Sequence, residues 1–293
     1  MTQRNACRLR KSLYLYGVRP VRDTTMKRLL TLTFCLLPSL AWPGESLGDK
    51  TAFVGPGAVA ADMFWDFEGG NGPISTAEAR HQTKAAIIGA WSSSGADPNP
   101  AISFSPTTLG TLLHPITVNG TNYTGSGKTS AVIDQSLDAY TYLGYRFPAT
   151  HDALFVSWLL KAGPTGFGTY DLLLLQSRPR DFCSCNWKAN PSKPYLQAHS
   201  LAGSGAPIYV ANNVTYRVQM RAERGQLCEI AVWRALDGHY LGTSSLPLRD
   251  HPIYFVQAPY SNAHGVKPPT FVYSDNYVWK WTGLLPAVTN LWP

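Results

Sequence analysis

The sequence predicts an all-β fold, an antiparallel β-sandwich of jelly-roll type, and three observations carry that expectation. From Met63 onward, apolar and polar residues alternate with a period of two in one segment after another, the pattern of strands that bury one face. Twenty-five glycines and 22 prolines divide the 293 residues into short pieces, which suits turns between strands better than long helices. Only "ISTAEARHQTKAAI" reads as a helix, and it is short.

Along the chain, "SAVIDQSLDAYTYLGYRF" divides into two strand-like runs on either side of the turn-like "DQSLD", and "ALFVSWLLKAG" and "YDLLLLQS" are apolar runs of strand length. "TYRVQMR" sets Tyr216, Val218 and Met220 against Arg217, Gln219 and Arg221, so it reads as a half-buried strand with one wet face. "LCEIAVWRALDGHYLGTS" reads as a hairpin in which Asp237-Gly238 supplies positive φ angles. "PIYFVQA" and "TFVYSDNYVWKW" are the last strands.

The formal charge is +7, but residues 1–41 hold eight of the 25 basic residues and one of the 18 acidic ones, leaving 17 of each in the body. Net charge therefore gives no support to a nucleic-acid partner. The leader has its own reading. From Met26, Lys27 and Arg28 precede an apolar stretch, Leu29 to Leu40, and Ser39-Leu40-Ala41 supplies small residues for a cut, so 26–41 is expected to be a secretory signal peptide. The stretch falls short of the roughly 20 residues that span a bilayer, so no transmembrane anchor is expected. Residues 1–25 are then an upstream extension, 42–61 a linker, 62–282 the jelly-roll domain and 283–293 a tail. An extracellular or periplasmic location follows, and Cys183, Cys185 and Cys228 fit an oxidising compartment in which Cys228 pairs with one of the other two.

"NGTNYTGSGKTS" ends in Gly127-Lys128-Thr129, which raises the question of a phosphate-binding loop. Such a loop needs a glycine five residues before Gly127 and a helix after it. The residue there is Asn122 and a strand follows, so no nucleotide is expected.

"FWDFEGG", "SGKTSAVI", "LFVSWLLKAG", "VTYRVQMRAERGQLCEIAVWRALDGHYLGTS" and "VYSDNYVWKW" resemble, in this order, segments of the concanavalin-A-like and laminin-G-like jelly rolls and of related carbohydrate-binding modules. The resemblance covers about residues 62 to 282. It implies a glycan or polysaccharide ligand and a structural calcium where the first and last strands meet, with Glu68 and Asp275 as the matching positions. Calcium takes six to eight oxygen ligands, which carboxylates, an Asn and backbone carbonyls supply.

Sugar rings stack their apolar C–H faces on aromatic side chains, so aromatics facing solvent from a sheet are candidate ligand-binding residues. Alternation puts Trp233 opposite Cys228, Ile230 and Val232, and puts Tyr273, Asp275, Tyr277, Trp279 and Trp281 on one face of the last strand. Trp233, Tyr273, Tyr277 and Trp279 form the expected platform. For catalysis, a glycosidase needs two carboxylates flanking the scissile bond, and the E-x-D-x-x-E strand that often supplies them is absent. "YFVQAPYSNAHG" is similar to a strand of alginate lyases and offers Tyr260, Asn262 and His264, but Val256 stands where that strand has lysine. The expectation is a secreted jelly-roll protein that binds glycan without catalytic turnover, with a polysaccharide lyase or a structural, adhesive surface protein as the alternatives.

Overall fold

The computed structural model describes residues 59–281 apart from 69, 112–114, 126, 135–139, 164–167, 179–180, 190–191 and 265–270. The upstream extension 1–25, the signal peptide 26–41, the tail 283–293 and most of the linker 42–61 lie outside the described residues.

Two antiparallel sheets face each other. The first runs Tyr240–Pro247, Leu227–Arg234, Thr215–Glu223, Ala153–Ala162, Phe271–Lys280, Met63–Trp65, Thr83–Ala85 from edge to edge. Ser130–Asp134 pairs with the first half of Phe271–Lys280 and carries Ile102–Ser105 beyond it. The second sheet runs Gly203–Ser204, Tyr195–Ser200, Asp181–Ala189, Gly168–Arg178, Ile253–His264, Tyr140–His151, Ala90–Ser93, with Ile208–Tyr209 also paired to Tyr195–Ser200. The chain is an all-β antiparallel sandwich in which Met63–Trp65, the first strand of the two large sheets, lies against the last strand, Phe271–Lys280, as in a jelly roll.

The core lies between the sheets and follows from alternation. Tyr216, Val218 and Met220 meet Leu154, Val156, Trp158 and Leu160 from one sheet, and Leu173, Leu175, Cys183, Cys185 and Val256 from the other. Cys183 is joined to Cys228 across the two sheets, with Cα atoms 5.8 Å apart, and Cys185 is buried and free. The helix Thr76–Gln82 is one short segment, capped by the Ser75 hydroxyl, which accepts from Glu78 N–H at 3.0 Å.

Three features depart from the sequence reading. Within the expected linker, Val59–Ala61 is a strand, parallel to Ile116–Val118, and with Thr121–Tyr123 it forms a small third sheet. Val59, Ile116 and Val118 cluster with Phe64, Phe155, Leu159 and Val278, so this sheet covers part of the outer face of the first one. Second, Arg217, Gln219 and Arg221, expected to be wet, are buried as well. Third, in the hairpin only Gly238 takes positive φ (66°), while Asp237 acts through its side chain, accepting from His239 N–H at 3.1 Å.

Candidate functional site

The outer face of the first sheet is built by strict register. Leu159 pairs with Arg217, and Arg217 with Trp233, so these three form one row across Ala153–Ala162, Thr215–Glu223 and Leu227–Arg234. The next row toward the strand ends is Tyr273, Lys161 and Thr215, continued by Ala235, whose N–H donates to Thr215 O at 2.9 Å. Beyond this row the hairpin turn and the Leu109-Gly110 segment flank an open cavity of about 760 Å³. Leu159, Val214 and Leu236 give it apolar surface, and Leu236 is 88% exposed. Asn213, Thr215 and the Arg234–Asp237 pair give it polar groups. Arg234 donates from Nε to Asp237 Oδ1 at 2.9 Å and from Nη2 to Oδ2, a two-pronged contact. This fork holds the Asp237 carboxyl down at about 2, helped by the His239 N–H.

The Gly127-Lys128-Thr129 segment backs this cavity. Gly127 has φ +63°, and a Cβ there would stand 2.1 Å from the carbonyl oxygen of Gly110, a residue of the cavity wall, so glycine is required at that close approach. The N–H of Lys128 donates to Glu68 Oε1 at 3.1 Å, and the Thr129 hydroxyl bonds the Phe67 carbonyl and reaches Glu68 Oε2 at 3.4 Å. Strand Ser130–Asp134 follows directly. The anion this loop meets is the protein's own Glu68 carboxylate.

Of the four expected platform aromatics, two share the outer face. Trp233 lies there but is buried, not solvent-facing as expected: it is 3% exposed, with the Arg217 guanidinium 5.2 Å from its ring centroid and Tyr240 tilted against it at 5.5 Å. Tyr273 is half-buried beside Lys161. Tyr277 and Trp279 are instead fully buried between the sheets, against Trp65 and Trp158, and offer no ring face to a ligand. The cause is a bulge. Ser157 pairs with Val278 but Leu159 with Asp275, so the last strand carries one extra residue, and Asn276 sits at φ 52°. That residue reverses the alternation between Tyr273 and Tyr277.

Asp275 lies at the bulge with no exposed surface, its oxygens accepting from Asn276 N–H at 2.7 Å and Asn276 Nδ2 at 2.9 Å. Burial, with Glu68 and Asp66 adding to it, raises its carboxyl well above the ordinary carboxylate range. The buried Asn276 Oδ1 beside it has no donor. Among the described residues, no group of three or more His, Cys, Asp or Glu side chains is placed to hold a metal. Calcium there would need backbone carbonyls to complete six ligands.

Tyr260 and Asn262 stand on the second sheet, on Ile253–His264, and the side chain of His264 lies outside the described part of the structure. Tyr260 is 3% exposed, and burial followed by the charge of Asp171 pushes its hydroxyl up. Asp171 accepts from Ser184 Oγ and Asn186 Nδ2, both at 2.9 Å. The group beside the tyrosine is thus an acid, where a uronate carboxylate needs a cation.

Sequence reasoning missed Arg217 and the cavity. The cavity draws on four segments distant in sequence (Leu109-Gly110, Leu159, Asn213 to Thr215 and Arg234 to Asp237), and only its hairpin turn carries a local signal. Among the described residues no helix is long and apolar enough to cross a membrane.

No protein-family model and no curated protein matches the chain. Among solved structures, it is similar to the binding domain of botulinum neurotoxin serotype G, with TM-score 0.45 and 7% identity, over 78% of this chain and 50% of that one. A functionally unknown protein from Saccharomyces cerevisiae aligns with TM-score 0.38 and 10% identity, over 67% of this chain and 97% of that one. Xylan β-1,4-xylosidase from Bacillus halodurans C-125 aligns with TM-score 0.38 and 12% identity, over 52% of this chain and 32% of that one. The chain thus spans about half the length of the neurotoxin binding domain it aligns with, and at these scores the likenesses assign no function.

Proposed function

We propose that this is an exported glycan-binding protein that holds its sugar, without turnover, in the cavity between the hairpin turn and the Leu109-Gly110 segment. The observation that carries the proposal is the composition of that cavity. At about 760 Å³ it falls within the roughly 300–1,000 Å³ of small-molecule sites, and it sets Leu159, Val214 and Leu236 beside Asn213, Thr215 and the Arg234–Asp237 fork. Apolar surface suits the C–H faces of a sugar ring, while a fixed guanidinium and carboxylate side by side suit neighbouring hydroxyls. Asp237, the one carboxylate of the described lining, is held by Arg234 as a fixed hydrogen-bonding group. Absence of turnover is part of the proposal and is what the product analysis below decides. Export is supported by the Cys183–Cys228 bridge, which persists in oxidising compartments.

A glycan array followed by product analysis tests this. Binding with no new chain ends is expected, and Asp237→Ala should weaken it tenfold or more while moving the melting temperature by under about 3 °C, since the pair is exposed. Cleavage products, or no hit on the array, would overturn the proposal.

A calcium ion at Glu68 and Asp275 is a separate proposal, supported by the buried Asp275 carboxylate and the unpartnered Asn276 Oδ1. Without an ion, Asp275 keeps its proton in the folded state to a higher pH than the ordinary Asp value of about 3.9. The folded state then binds more protons than the unfolded one, so stability is full below about pH 4 and is lost as pH rises through the raised folded value. An ion removes that loss. In chelator the melting temperature should fall between pH 4 and 7 and Asp275→Asn should raise it at pH 7, whereas calcium should flatten the wild-type profile. Identical wild-type profiles in chelator and in calcium would rule the ion out.

A further inference from the structure

Arg217 is the least compensated charge described in the molecule. It is 1% exposed, and neither Nε nor Nη2 has an acceptor. A buried guanidinium without an acid partner is costly, and the Trp233 ring face 5.2 Å away offsets part of that cost. Its surroundings repeat the pattern. Ser157, between Phe155 and Leu159 on the same outer face, is buried with an unpartnered Oγ. Lys161, half-buried in the adjoining row, forms no ion pair among the described residues. Arg217 and Lys161 stand behind the cavity wall and are not themselves lining residues, but Leu159, the register partner of Arg217, and Thr215, its same-face neighbour and the register partner of Lys161, both line it, so a side-chain shift at this wall would bring the two cations to the ligand.

We infer that the glycan is acidic, its anionic group a carboxylate or a sulfate ester received by Arg217, with Lys161 supplying a second positive charge. This rests on the cavity being the glycan site and names the class of sugar it takes. A guanidinium presents parallel N–H groups that match the paired oxygens of either anion, and desolvation strengthens such bonds. Burial lowers the Arg217 guanidinium to about 10, which leaves it charged at neutral pH and in need of a counter-charge.

The test is titration calorimetry with three galacto-configured oligosaccharides of equal length: neutral galactan, oligogalacturonate and sulfated galactan. One acidic probe at least is expected to bind tenfold or more tighter than the neutral one, and to weaken between 50 and 500 mM salt while the neutral one does not. Which of the two acidic probes gains identifies the anion. In Arg217→Met the acidic-to-neutral affinity ratio should collapse to about one, and in Arg217→Lys it should fall part of the way, because a lysine keeps the charge without the fork. Arg217→Met should also melt no lower than wild type without ligand, since its unpartnered donors go with it. Equal wild-type affinity for all three probes, or a ratio that survives in both variants, overturns the inference and leaves glycan binding standing. Failure of both acidic probes to bind overturns the inference, and failure of every glycan on the array overturns glycan binding itself.

Discussion

Replacing both Cys183 and Cys228 with alanine is expected to lower stability by about 4 kcal/mol. The bridge links Asp181–Ala189 of one sheet to Leu227–Arg234 of the other and spans 45 residues of sequence. In the chain-entropy account a closed loop is worth about 3 kcal/mol at 15 residues and about 4.7 at 100, so 45 falls between. For a domain of this size each kcal/mol moves the melting temperature by roughly 2–4 °C, which makes the expected loss roughly 8–16 °C. Cys185 offers no replacement bridge, since neither Cys183 nor Cys228 remains in the double variant. It is fully buried and burial pushes its thiol up, so it holds little of the thiolate that exchange requires. Calorimetry of the double variant, of wild type in reductant and of Cys185→Ala separates the contributions. The first two should fall together and the third should move by a few degrees at most. A double variant melting within about 2 °C of wild type would remove the bridge as a determinant of stability.

The bridge shows which parts of the molecule were legible in sequence. Alternation placed Cys228, Ile230 and Val232 on the inner face and Trp233 outside, because a paired strand has two faces and only one meets the second sheet. The same rule misread Arg217, Gln219 and Arg221. Period two assigns residues to a face and cannot report what lies over that face. It failed differently in "YSDNYVW", where one extra residue turned Tyr277 and Trp279 inward. The only local sign is Asn276, a residue type that tolerates positive φ. In "GSGKTS" the missing glycine and helix argued against a phosphate loop, but sequence could not show that Glu68, some 60 positions earlier, receives the Lys128 N–H. Groups meeting across long sequence distances leave no local period to read.

Trp65→Ala should be comparably damaging, by a mechanism independent of the bridge. Trp65 is 1% exposed and stands where both sheets send aromatics inward. Its ring centroid is 4.8 Å from Trp91 and 5.9 Å from Tyr145, on one sheet, and 5.6 Å from Tyr277 and 4.7 Å from Trp279, on the other. Alanine would leave a ring-sized void walled by four large side chains that are themselves held by strand pairing, so little collapse can fill it. Truncations of this kind cost about 3–5 kcal/mol, or roughly 6–20 °C here. Trp65→Phe isolates the cause. The indole Nε1 of Trp65 has no acceptor, so phenylalanine sacrifices no hydrogen bond, keeps an aromatic face and should cost at most about half as much. Near-ultraviolet circular dichroism should lose intensity in Trp65→Ala beyond the loss of one chromophore, because the coupled rings around it lose their fixed geometry. If alanine and phenylalanine lower the melting temperature equally, the void is not what destabilises. If alanine lowers it by under about 3 °C, the aromatic cluster does not hold the sheets together.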